Sequence, residues 1–105
     1  MERNIESTLS ELGIDYRFYR DIKNKTIFRN VKPIQQAKEE DLSYCSFDGE
    51  EAVSLISKSS AGIILCKTNL EAFIDVCSSM TDAKLLHPSQ QLIFVDNPRA
   101  DLSKL

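Results

Sequence analysis

Apolar residues at helical spacing open the chain: Ile5, Leu9 and Leu12 fall at i, i+4 and i+7, with polar residues on the other side. This predicts a short amphipathic helix over 4–12 that lays one stripe on a sheet, with Gly13 placed to end it. The period then changes to two. Ile14, Tyr16 and Phe18 alternate with Asp15, Arg17 and Tyr19, the pattern of a half-buried strand. TIFRNV (26–31) predicts a second strand. The stretch DIKNK between them predicts a hairpin with Asn24-Lys25 at its tip.

The densest patterning runs from Val31 to Cys66. Pro33 ends the preceding strand because it has no N–H for a ladder, and Ala37 anchors a polar connection. In LSYCSF (42–47), Leu42, Tyr44 and Ser46 share one face and Ser43, Cys45 and Phe47 the other, which suits a strand covered on both sides. Asp48 is an N-cap candidate for a helix whose stripe is Ala52, Val53, Leu55 and Ile56. Glu50 and Glu51 suit its positive end and Lys58 its negative end. The nearly continuous apolar run Gly62–Cys66 then predicts a central parallel strand, each of Ile63, Ile64 and Leu65 contributing ~1.5–3 kcal/mol on burial. The unit is β-α-β.

Downstream the alternation repeats. Leu70, Phe73, Ile74 and Cys77 fall at i, i+3, i+4 and i+7 behind a capping Asn69. LHPSQQ turns the chain, and Leu92–Asp96 predicts a further buried strand. Asn97 as cap and Pro98 as first helical residue open a fourth helix. The sequence ends about two turns into that helix, so the expectation is a front piece of a longer protein. Apolar Leu102 and Leu105 would then meet a fused C-terminal domain or a second copy. The predicted fold class is α/β, a small mixed or parallel sheet flanked by about four short helices with right-handed crossovers, in one domain over 1–105.

Composition narrows the function classes. With 42% hydrophobic and 28% charged residues the chain is globular, and a net charge of −3 disfavours nucleic acid as a partner. No apolar run is long enough to span a membrane, and MERNIEST is not a signal peptide, so the expected location is the cytoplasm. Cys45, Cys66 and Cys77 sit in apolar segments at spacings that match no zinc site and are expected as buried, reduced thiols. His87 precedes Pro88 in a turn and is paired by spacing with no cysteine. No phosphate-binding glycine loop, nucleophile elbow or HExxH occurs. The runs Lys38–Asp41 and Asp48–Glu51 are expected as a solvated connection and as capping. No catalytic residue, cofactor or metal is therefore expected.

Open α/β sheets take ligands at the carboxyl ends of their strands, which places 66–69 and 96–99 on the candidate ligand edge, with Lys67 and Asn97 as its polar contacts. At the strand-to-helix corner, Tyr44 and Phe47 can stack a flat ring, or can belong to the core.

Pro33-Ile34, Ala37, Asp41–Cys45, Ala61-Gly62 and Asn97-Pro98, in that order and spacing, resemble the N-terminal non-repeat domain of UDP-3-O-acylglucosamine N-acyltransferase, the lipid A pathway enzyme. That domain is similar in turn to the uridine-binding N-terminal domain of the Mur ligases. The likeness covers about 27–105, with residues 1–25 following only loosely. It implies a Mur ligase N-terminal-domain-like fold and a site that holds the uracil of a UDP-sugar with an aromatic, an Asn and a Tyr. Tyr44 fits the stacking position, while the Asn position falls at Phe47, the second aromatic at Glu50, and the usual Gly before Asp41 is Glu40. The family's acyl transfer belongs to a β-helix of hexapeptide repeats with a catalytic His, and no such repeat occurs in this sequence. The resemblance therefore implies a non-catalytic domain that binds a UDP-sugar or uridine nucleotide weakly, on the order of millimolar. The alternative is a protein-interaction module that kept the fold and lost the ligand.

Overall fold

The strand patterns that are apolar on both faces form the centre of the molecule. The computed structural model describes residues 2–19, 26–47, 49–74 and 91–103, apart from the side chains of 101 and 102. Among these residues, β5 (Asp41–Cys45), β6 (Ile63–Lys67) and β7 (Gln91–Val95) run parallel, with β4 (Asn30–Val31) parallel at one edge and β2 (Tyr16–Phe18) antiparallel at the other. The order β2-β7-β6-β5-β4 makes a mixed five-stranded sheet, and β1 (Arg3–Asn4) pairs with β3 (Ile27–Phe28) in a separate two-stranded ribbon. Helices α1 (Ile5–Glu11), α2 (Gly49–Lys58) and α4 (Pro98–Ser103), with helical residues 70–74 (α3), complete a compact α/β fold.

Pleating sorts the core into two layers. Leu42, Ile63, Leu65, Ile93 and Val95 pack with Ile5 and Leu9 of α1 and with Phe18 and Phe28. Cys45, Ile64, Cys66, Leu92 and Phe94 pack with Ala52 and Ile56 of α2 and with Leu70 and Ile74 of α3. β6 lies between β5 and β7 and its residues 63–66 are fully buried, as the continuous apolar run predicts. The carboxyl end of α1 follows the residue expected to make it, and Asn4, which the sequence reading did not single out, caps its start. Asn4 Oδ1 accepts from the Ser7 N–H at 3.2 Å. At the other end Gly13 takes φ 70°, its N–H donates to Ser10 and the Ile14 N–H reaches back to Leu9. That is a Schellman closure, which glycine makes without strain.

Five expectations are corrected. The segments 14–19 and 26–31 do not form a hairpin: β2 pairs with β7, placing Tyr16 beside Val95 and Phe18 beside Ile93. Asn-Lys is a weaker tight-turn signal than Asn-Gly, because Lys does not favour positive φ, and β2 pairs along β7 instead. TIFRNV is two strands in different sheets, broken at Arg29, whose N–H donates to the Glu40 carbonyl at 2.8 Å. Tyr19, expected on the polar face, is buried with its ring 6.0 Å from that of Phe94, whereas Leu12, expected in the α1 stripe, is 39% exposed. Asp41 is not part of a solvated charge run. It is buried, its Oδ2 accepts from the Lys38 N–H at 2.9 Å, and its own N–H returns to the Lys38 carbonyl. The expected roles of Asp48, Cys77, His87 and Leu105, and of the Leu102 side chain, lie outside the described residues.

Candidate functional site

The connection from β4 to β5 and the corner from β5 to α2 lie on the same edge, and the space between them is a cleft. Pro33 starts a turn in which its carbonyl accepts from the N–H groups of Gln36 and Ala37, both at 2.9 Å. Two apolar anchors hold this turn, Ile34 as well as the expected Ala37, and both are buried. The buried Ser59 hydroxyl, just past α2, donates to the Ile34 carbonyl at 2.7 Å and accepts from the Ala61 N–H at 3.1 Å. The turn is thus tied to the body of the sheet and leaves Gln35 exposed.

Opposite it, β5 ends at Cys45 and the chain leaves the sheet through Ser46 and Phe47 before α2 begins at Gly49, with φ 61°. A positive φ at that position favours glycine and lets the helix turn sharply off the strand. Pro33, Ile34, Gln35, Tyr44, Ser46, Phe47 and Arg99 line a cleft of about 400 Å³. Small-molecule sites span about 300–1,000 Å³, so the cleft is large enough for one. It sits where an open parallel sheet is expected to take a ligand, outside the carboxyl ends of the strands.

The structure brings together some of the candidate residues and not others. Tyr44 and Phe47 share the cleft, with Tyr44 half-buried against the α1-side core and Phe47 44% exposed. Asn97 is not among the residues lining the cleft; its Oδ1 accepts from the Ala100 N–H at 3.2 Å and caps α4. Lys67 closes β6 in register with Val95 and is likewise absent from the lining. Next to it, the Thr68 hydroxyl donates to the Val95 carbonyl at 3.2 Å and contacts Asp96 Oδ1 at 3.1 Å, so that part of the edge is occupied by its own hydrogen bonds.

Arg99, Gln35 and Ser46 are cleft residues that the sequence did not single out as contacts. Arg99 falls inside the expected edge 96–99, but Gln35 lies in a connection whose position only the fold reveals. α4 packs back across β7, β6 and β5, which carries Arg99 from the end of β7 to the cleft beside β5. Among the described residues lining the cleft, Arg99 is the one charged group.

The thiols sit elsewhere. Cys45 and Cys66 are reduced, buried, and paired in register on neighbouring strands, facing the α2 layer. Burial pushes the Cys66 thiol well above the ordinary thiol value, and the adjacent Cys45 adds to the shift. A thiol held protonated in this way is a poor nucleophile. Among the described residues no group of three His, Cys, Asp or Glu is arranged to hold a metal ion, and no helix is long and apolar enough to cross a membrane. One buried side-chain oxygen among them, Ser43 Oγ, has no hydrogen-bond partner. No protein-family model matches the chain, and a search of curated proteins finds no match.

Proposed function

We propose that the chain is a non-catalytic domain that binds a uridine nucleotide or UDP-sugar, resembling the front domain of the lipid A pathway N-acyltransferase and the Mur ligase N-terminal domain. The observation that carries this reading is the meeting of Tyr44 and Phe47 in one cleft at the carboxyl edge of the parallel strands. An exposed aromatic beside a second ring is a stacking surface for a base, worth ~1–3 kcal/mol per stacked base. The Asn of the family pattern is absent at position 47. Gln35, on the opposite wall, offers the same amide chemistry, one donor and one acceptor that can pair with a uracil edge.

The same reading makes this domain the substrate-holding front piece of an acyltransferase-like protein whose chemistry lies in another domain. It places the protein in the cytoplasm, where reduced thiols such as Cys45 and Cys66 persist. With few polar partners in the cleft, the dissociation constant is expected on the order of millimolar. An NMR titration with UMP and with UDP-N-acetylglucosamine tests it. Shifts of the amides of Tyr44, Ser46, Phe47 and Gln35 are the expected result. No shift at millimolar ligand overturns the reading and leaves the interaction-module alternative.

A further inference from the structure

We propose that Arg99 is the anion-holding residue of the cleft, so that the ligand is selected for a phosphate as well as for its ring. This rests on the nucleotide reading for the ring, but the anion site has its own support. Arg99 is exposed and lines the cleft, and none of the residues lining the cleft with it is acidic. The other arginine at a hollow, Arg29, shows what an internally satisfied guanidinium looks like here: it meets Glu2 at 2.9 Å and Glu40 at 3.9 Å. No described carboxylate takes that place for Arg99. The chain as a whole carries a net charge of −3, so a cation with no acidic residue among the described residues lining its cleft runs against the overall balance.

The chemistry of the wall fits a phosphate monoester or diphosphate joined to a planar ring. A guanidinium presents N–H donors in a rigid fork that matches two phosphate oxygens, and its charge persists at every accessible pH. The Ser46 hydroxyl, on the same wall as Phe47, can donate to a further oxygen. Tyr44 and Phe47 supply the ring contact. A neutral nucleoside uses only half of this wall; a nucleotide uses both halves.

The test is an NMR titration of the intact chain with three probes, uridine, UMP and inorganic pyrophosphate, on the native protein and on the variants Arg99→Gln and Arg99→Lys. Far-UV circular dichroism confirms that each variant is folded. Native protein is expected to bind UMP about tenfold tighter than uridine at low salt, the scale of one charge-assisted hydrogen-bonded contact. Arg99→Gln is expected to abolish that difference, and Arg99→Lys to retain part of it. Binding of pyrophosphate that is lost in Arg99→Gln, with no response to uridine, supports the anion site while overturning the nucleotide reading. Equal affinity for uridine and UMP overturns the anion site and leaves the nucleoside reading standing. A preference for UMP that persists in Arg99→Gln overturns it too, and so does the absence of any response to UMP and pyrophosphate.

Discussion

Two hollows at opposite ends of the parallel strands are built from the same residue types and differ in what those residues touch. Each contains an arginine and a phenylalanine: Arg99 and Phe47 beyond the carboxyl end of β5, Arg29 and Phe28 beside the amino ends of β4 and β5. In the second, Arg29 donates to Glu2 and faces Glu40, and Phe28 is 1% exposed with the Arg3 guanidinium 4.8 Å above its ring. The hydrogen bond to Glu2, and then the charge of Glu40, push the Arg29 pKa up. Every cation and ring there is matched within the chain. In the first, Phe47 is 44% exposed and no acidic residue is among those described along the cleft. Residue type does not distinguish an open cleft from a piece of architecture; unmet contacts do.

The largest expected effect separates the two phenylalanines. Phe28→Ala removes a buried ring and should cost about 3–5 kcal/mol in denaturant unfolding. Phe47→Ala should stay within about 0.5 kcal/mol, as exposed positions do. Similar losses for both would break the comparison. The second effect is on binding: Phe47→Ala should weaken UMP binding by the ~1–3 kcal/mol of one stacking contact, read as lost amide shifts, while Phe28→Ala in its folded fraction keeps them.

A third prediction probes the core between the hollows. Because the folded Cys66 thiol is raised above its unfolded value, its protonated form is favoured in the native state. Stability from this source is complete below the unfolded thiol value of about 8.5 and is lost as pH climbs from there toward the folded value. Unfolding followed from neutral to alkaline pH should show this decline, and Cys66→Ala, though less stable overall, should show a flatter one. Fourth, Ser43→Ala removes the buried hydroxyl without a partner and should leave stability unchanged or raise it by about 1 kcal/mol. A clear loss would mean the hydroxyl is satisfied in solution. The smallest effect is Arg29→Gln, a slight drop in melting temperature that vanishes at high salt because all its partners are exposed.

Much of the parallel core was legible in the sequence because its signals are local or continuous. The run Gly62–Cys66 is apolar without interruption and short, which suits a strand covered on both faces, and β6 is that strand. Asn97 and Pro98 announce a helix start through their own backbone chemistry, and Asn97 caps α4. Tyr44 and Phe47 were legible as a pair because they flank one strand-to-helix corner. Lys67 and Asn97 were chosen by position on the edge, and their positions are away from the cleft lining. Position along an edge does not say whether a side chain already has a partner, and Asn97 does.

The amino-terminal third was harder. Period-two alternation in 14–19 establishes a strand but not its neighbour, and β2 crosses to β7 at the far edge of the sheet. The same limit applies to 26–31, where one apparent strand serves two sheets because Arg29 is drawn to the Glu40 carbonyl.

By itself, then, the sequence determined the α/β class, the central strand, the Schellman end of α1 and the aromatic corner at Tyr44–Phe47. These depend on near neighbours in the chain: spacing, caps and a glycine where φ is positive. Tertiary structure alone decided which strand lies beside which, which arginine is paired, and that Gln35 and Arg99 line one cleft with residues far from them in sequence. Those outcomes turn on contacts between distant segments, where burial of apolar faces and the pairing of charges compete, and no local pattern records the winner.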